Sequence, residues 1–400
     1  MRDDMWAQAP GEGTRSAAWK VVLALVLVLG LGAGFVGVIL AGEDEAPQPP
    51  ASPVAEDEET GALPGGFDES RIVTVLSPDA IPALTDPPFQ SVSDVDWLTS
   101  EEPVIAVELN GDARAYPLQI MTWHEIVNND VGGTPVTVTF CPLCNTAYAF
   151  QRPEVDGKVT TFGTSGKLYH SNLLMYDRAT DSLWPQALGV ATTGKLKGTV
   201  LERVPAQIVS WEEFRATFPE GRVVSRNTGH TRNYGENPYP GYDDIDSQPF
   251  LFEGEVDGRL AAVERVLGIE GRGAITAFPY FRLKEAADGD LVAINAEVGR
   301  TPVMVVWKEG TRSALNATSI AESKDVGAAF AFSRKLGQRV LSFDVVGGKI
   351  VDRRTGSTWN IFGRATSGSL EGEKLAPADA HDSFWFDWAA FHPNTQVWEG

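Results

Sequence analysis

The chain carries a second copy of part of itself. DRATDSLW at 177–184 recurs as DRRTGSTW at 352–359, with Asp, Arg, Thr, Ser and Trp in register. GVATTGKLKGTVL at 189–201 recurs as GRATSGSLEGEKL at 363–375, with more than half of the positions identical. Each copy runs on to a short aromatic segment, WEEFRATFP at 211–219 and WAAFHP at 388–393. The spacing is far too long for a solenoid period. It predicts two related units packed together, a first at 67–260 and a shorter second at 261–400.

Each unit reads as mainly β, an α+β chain with few helices. VTVTF (136–140), TAYAF (146–150), KVTTF (158–162), TPVMVVW (301–307) and RVLSFDV (339–345) alternate or run apolar at strand length. EVDGK (154–158) and DVVGGK (344–349) supply hairpin turns. PLQIMTWHEIVNN predicts a helix over 117–129 with Pro117 in its first turn. A second helix is expected after Ser210, an N-cap with Glu213 at the capping-box position. The duplicated DR-T-S-W reads as a corner device, an Asp–Arg pair with a Trp filling the core behind it.

Residues 21–41, VVLALVLVLGLGAGFVGVILA, hold no charged or polar side chain. At ~1.5 Å per residue such a run spans a bilayer core of about 30 Å. Arg15 and Lys20 precede it, and Glu43, Asp44 and Glu45 follow. Positive charge stays inside, which predicts a cytoplasmic segment at 1–20, a transmembrane helix at 21–41 and an exported remainder. A cleaved secretory signal is the lesser alternative, because Ile39 stands where a signal-peptidase site wants a small residue. Residues 42–66 are rich in Pro, Ala and acid and read as a disordered tether. The net charge is −21 with no basic stripe, so the lipid bilayer is the expected partner and nucleic acid is not.

Cys141 and Cys144 are the only cysteines. They flank a CPLC turn between two strand patterns rather than opening a helix, which argues against a thioredoxin-type motif. A turn between strands is the knuckle that presents two thiolates to a metal, and two thiolates suit Zn(II) or Cu(I). A redox-active disulfide and an inert pair stay open beside that expectation; as a staple, so short a loop stabilises little. Aligning Pro135 with Pro302 sets Cys141 opposite Lys308, so the thiols belong to the first unit alone. His124 shares a helical face with Ile120, Trp123 and Val127 and is the expected third ligand, with Glu125 beside that face. If helix and strand pack antiparallel, Cys141 falls nearer Pro117 than His124. His170 and His230 are further imidazoles, and His392 looks structural. The pair is expected to face an accessible hollow.

YPLQIMTWHEIVNNDVGGTPVTVTFCPLCNTAYAF and FGTSGKLYHSNLLMYDRATDSLW resemble an uncharacterised prokaryotic family known only as a domain of unknown function. The resemblance runs from about Asp94 to the end. It carries over His124, Glu125, Cys141, Cys144, Ser165, Asp177, Arg178 and Trp184. It implies an exported unit with a site at the CPLC turn, where Glu125, Ser165, Asp177 and Arg178 would support the ligands. His170 stands where the family has Asn, and Asn145 where it has Gly. Three functions follow as expectations: a metal-binding protein, a thiol–disulfide redox protein, or a binding scaffold without chemistry.

Overall fold

A computed structural model describes residues 66–400. The expected cytoplasmic segment, membrane helix and all but the last residue of the tether lie outside them. No described helix is long and apolar enough to cross a membrane. Asp68–Gly400 pack as one compact unit. It is mainly β, with α-helices of only six or seven residues among the described residues.

The duplication is visible in the strand order. In the first half, β1 (Pro103–Leu109) and β2 (Asp112–Pro117) form a hairpin, followed by α1 (Leu118–His124). Then come β3 (Ile126–Val131), β4 (Thr134–Cys141) and β5 (Thr146–Gln151), an antiparallel meander. A third group follows, β6 (Phe162–Tyr169), β7 (Asn172–Asp177) and β8 (Leu183–Pro185). β9 (Ala206–Ser210), α2 (Trp211–Thr217) and β10 (Arg222–Val224) close the half. β9 pairs antiparallel with β1, and β10 runs parallel to β2.

The second half repeats this plan. β11 (Arg265–Gly271), β12 (Ala274–Pro279) and α3 (Tyr280–Glu285) match β1, β2 and α1. β13 (Leu291–Val298), β14 (Thr301–Lys308) and β15 (Ala328–Ser333) match the meander. β16 (Phe343–Val346), β17 (Lys349–Asp352) and β18 (Thr358–Trp359) match the third group. β19 (Ala380–Phe384) pairs with β11, α4 is Trp385–Phe391, and β20 (Gln396–Val397) runs parallel to β12. The helices α2 and α4 therefore begin at Trp211 and Trp385, so the aromatic segments align through those two tryptophans rather than through Trp388.

One apolar core draws on both halves. Val104, Val209, Trp211 and Phe214 pack in the same cluster as Met304, Val306, Phe330 and Trp359. Burying each such side chain contributes roughly 1.5–3 kcal/mol. Phe218 meets Phe362 edge-on at 5.0 Å.

Three local expectations change. The helix expected over 117–129 stops at His124, because Glu125 adopts a left-handed backbone (φ 59°). Ile126–Val131 is a strand instead: its β-branched start pairs with β4 through a Gly132–Gly133 turn at φ 55° and 78°. That hairpin brings β4 back to the C-terminal end of α1, where Phe140 N–H donates to the Glu125 carbonyl, so Cys141 follows a residue bonded to Glu125 rather than falling by Pro117. Last, the duplicated Asp and Arg do not pair with each other. Asp177 accepts bonds from Thr180 N (2.8 Å) and Trp184 Nε1 (3.1 Å), and Asp352 from Thr355 N (2.8 Å) and Trp359 Nε1 (3.4 Å). Their arginines turn outward to other acids, Arg178 to Asp79 at 2.6 Å and Arg353 to Asp344 at 2.6 Å.

Candidate functional site

The CPLC stretch is a hairpin connection. β4 ends at Cys141, which pairs with Thr146, the first residue of β5. Cys144 N–H donates to the Cys141 carbonyl at 3.2 Å, closing a β-turn. Asn145 completes the loop at φ 54°, a conformation that glycine adopts freely and asparagine tolerates. Asn therefore serves where the family resemblance implied Gly.

A second tight turn comes up against the first. His170 and Ser171, at φ 51° and 69°, join Tyr169 to Asn172 in a two-residue hairpin. His170 is thus a turn residue, and its ring packs on Tyr169 at 4.4 Å. The Ser171 carbonyl accepts from the Cys144 thiol at 3.5 Å and lies 3.9 Å from Cys141 Sγ. The two thiols are close enough to influence each other.

The acid at this site comes from the other half. Asp387 on α4 is buried and its carboxyl group lies beside the Cys144 thiol. Asn172 Nδ2 and Ser383 Oγ each hold it at 3.0 Å. Gln186 extends the network, linking Thr139 Oγ1 (2.9 Å) and Thr146 Oγ1 (2.6 Å). Phe384 N–H donates to the Cys144 carbonyl at 2.8 Å, tying α4 to the turn. Burial pushes the Asp387 carboxyl up to about 6, against the pull of its three donors. Burial also pushes the Cys144 thiol up, and contact with Cys141 and Asp387 adds to it. On the other flank Glu125 is 8 % exposed, and burial alone pushes its carboxyl up to about 8. Buried Tyr239 and Tyr242, from 225–262, the segment between the halves, lie near enough to feel charge on the thiols.

The repeat explains where Asp387 comes from. Glu213 and Asp387 are each the third residue of their helix, α2 and α4. Lys308 ends β14 as Cys141 ends β4, and each pairs with the first residue of the next strand. Glu213 of the first half makes an ion pair with Lys308 of the second. Asp387 of the second half meets the CPLC turn of the first. One architectural position thus holds a carboxylate and an ammonium in one copy, and a carboxyl group and two thiols in the other. The second copy also spends residues 309–327 where the first has only the four-residue turn.

Other candidates lie elsewhere. His124 is fully buried, with Nδ1 2.7 Å from the Pro82 carbonyl and Nε2 2.6 Å from Tyr234 Oη. The carbonyl can only accept, so Nδ1 carries the proton and Nε2 accepts from the phenol; burial holds the imidazole down at about 4. Asp177 sits at the far end of β7 from Asn172. At ~3.3 Å per residue that is about 17 Å away, and Arg178 lies beyond it. Ser165 donates to the Leu174 carbonyl at the irregular step of β6. These three residues serve the corner and its sheet. Cys141 and Cys144 are 2 and 0 % exposed, so they sit closed off from the surface rather than facing the open hollow expected for them.

A cavity of about 250 Å³ between the halves is lined by Arg203, Asp379 and His381. Glu270, Asp379 and His381 bring their donor atoms within 4.8 Å of one another. Arg203 already occupies that cluster, 2.7 Å from Glu270 and 3.1 Å from Asp379. A guanidinium stands where a metal cation would.

Asp387, Asn172 and Gln186 escaped sequence reasoning. The acids at 213 and 387 and the Lys308–Cys141 alignment were the available signals, but only a correct alignment of α2 with α4 joins them. No curated protein and no solved structure matches the chain. A family model described as "Protein of unknown function (DUF3179)" matches residues 78–395, and the chain belongs to that family.

Proposed function

We propose that this is an exported, membrane-anchored β protein that holds a soft transition metal, Zn(II) or Cu(I), through the thiolates of Cys141 and Cys144. The observation that carries the reading is the substitution within the repeat: a dithiol knuckle with a buried carboxyl group stands where the other copy has a plain Lys308–Glu213 ion pair. A strand–turn–strand CxxC is a metal-presenting geometry. A buried thiol that holds its proton, as Cys144 does, is a poor nucleophile, whereas a metal ion displaces a thiol proton outright. His124 is left out of the donor set, because both its ring nitrogens are already bonded. The metal is held rather than offered to a large substrate, in keeping with the closed surroundings of the sulfurs. The anchor at 21–41 rests on its length and apolarity.

The test is metal titration of the full chain, reduced and anaerobic, against a chromophoric chelator. One Zn(II) or Cu(I) per chain is expected, with sulfur-to-metal absorption for Cu(I), and loss of binding in Cys141→Ser and Cys144→Ser. A wild-type chain that binds neither ion stoichiometrically ends the reading.

The closeness of the two thiols, with Asp387 beside Cys144, supports a second reading. Here the pair gives two electrons and two protons to an external disulfide, which is reduced to two thiols as Cys141 and Cys144 join. A reduction potential well below that of an oxidising compartment would instead mean a permanent bond.

A further inference from the structure

We infer that Glu125 is a third protein ligand of the Cys141–Cys144 centre, and that the resident metal is therefore Zn(II) rather than Cu(I); this rests on the metal reading above. Four observations converge on Glu125. It is 92 % removed from solvent, at 8 % exposure. Its carboxyl group makes no hydrogen bond or ion pair with any described residue. That sets it apart from the other buried acids: Glu102 has Thr99 and Gln119, Asp177 has Thr180 and Trp184, Asp243 has Arg265 and Ser313, Asp352 has Thr355 and Trp359, Asp382 has Tyr280, and Asp387 has Asn172 and Ser383. A buried polar group without a partner is costly, and native proteins retain one for a reason.

The backbone is the third observation. Glu125 holds φ 59° and ψ −30°, a strained left-handed conformation for a long side chain. Two bonds pin it there: its N–H donates to the Met121 carbonyl at 2.8 Å, and its carbonyl accepts from Phe140 N–H at 2.8 Å. The second bond sets Glu125 across from Phe140, the residue before Cys141. The fourth observation is a shared neighbour. Buried Tyr239 lies close enough to both Glu125 and Cys141 to feel the charge of each.

The carboxyl oxygens are not yet gathered with the sulfurs within 4.8 Å, as the Glu270–Asp379–His381 set is. Ligation would turn the Glu125 side chain toward the sulfurs, and because no described residue bonds its carboxyl group, that turn breaks no hydrogen bond. Two thiolates and one carboxylate are a borderline donor set that suits Zn(II) and leaves a fourth position open, whereas Cu(I) is satisfied by the two sulfurs alone. Asp387 keeps its place outside the set, beside Cys144.

Competition titrations with Zn(II) and Cu(I) on full-length wild type, Glu125→Gln and Asp387→Asn test this, with the Co(II)-substituted proteins as a spectroscopic readout. In Glu125→Gln, Zn(II) affinity is expected to fall by about 100-fold or more, beyond the ~10–100-fold typical of residues that merely orient a ligand. Cu(I) affinity should stay nearly constant, and the visible Co(II) bands should move. Asp387→Asn should weaken Zn(II) binding less and leave the Co(II) bands in place. Unchanged Zn(II) affinity and unchanged Co(II) bands in Glu125→Gln overturn the assignment of Glu125 while leaving the thiolate centre standing. A wild type that binds Cu(I) but not Zn(II) also overturns it. Equal loss of both ions in Glu125→Gln, with an unchanged thermal melt, assigns Glu125 to shaping the site instead and overturns the ligand role.

Discussion

Asp382 and Asn145 show what single side chains cost this fold. Asp382 is buried against Tyr280, and burial pushes its carboxyl up to about 7, with the Tyr280 hydroxyl and Arg265 pulling the other way. A carboxyl that titrates higher folded than unfolded binds more protons in the native state between its two pKa values. Its stabilising share is therefore complete below the unfolded value near 4 and is lost as pH rises toward 7. Asp382→Asn removes that slope. Comparing urea unfolding of wild type and variant near pH 5 and pH 8, the wild type should lose up to about 3 kcal/mol more than the variant across the interval, one pKa unit being ~1.4 kcal/mol. Equal slopes would mean that Asp382 does not titrate there. Asn145 makes a conformational prediction. At φ 54°, Asn145→Ala should destabilise by roughly 1 kcal/mol, while Asn145→Gly should be neutral or slightly favourable, measured as a shift in the urea midpoint. The sequence pointed at this position only as a departure from a family pattern; the turn geometry supplies the reason.

At the scale of elements, the corner formed by β7 and β8 in one half and by β17 and β18 in the other is a matched pair of experiments. Asp177 and Asp352 are both fully buried, and each accepts from a threonine and a tryptophan in its own turn. Removing either carboxylate leaves those donors unpaired, so Asp177→Ala and Asp352→Ala should each cost about 2–4 kcal/mol in thermal or urea unfolding. Metal stoichiometry should survive in both, since Asp177 is about 17 Å along β7 from the thiol end; loss of metal from Asp177→Ala alone would bring it back into the site. Strands such as VTVTF and TPVMVVW were legible because period-2 apolar patterning is a local signal. The end of α1 was not, because Ile120, Trp123, His124 and Val127 fit a helical face while the left-handed step at Glu125 leaves no mark in periodicity. The thiol pair and the turn around it could be read from CPLC between strand patterns. The contact of Asp387 with Cys144 could not, because it is set by how α4 of one half docks on the other, and nothing local to WFDW encodes that.

The whole molecule is held together by exchange between its halves, which decides how it should come apart. Trp211 and Phe214 of the first half share a core with Phe330 and Trp359 of the second. Glu213 reaches Lys308, Arg203 reaches Glu270, and Asn172 reaches Asp387 across the same divide. A chain cut between 260 and 261 would leave each piece with a large apolar face and with buried polar groups lacking partners, at roughly 1.5–3 kcal/mol for each large apolar side chain left exposed. Marginal domain stabilities of about 5–15 kcal/mol do not absorb such a loss. The pieces 66–260 and 261–400 expressed singly should therefore be aggregated or unfolded, with little near-ultraviolet circular dichroism. Co-expressed, they should associate into one complex whose urea unfolding is a single transition, and only that complex should bind metal at full affinity, because Cys141, Cys144 and Glu125 are fixed in place only when the shared core forms. Two independently folded, soluble pieces would show instead that the duplication made two domains, and that the site at the CPLC turn is complete within the first.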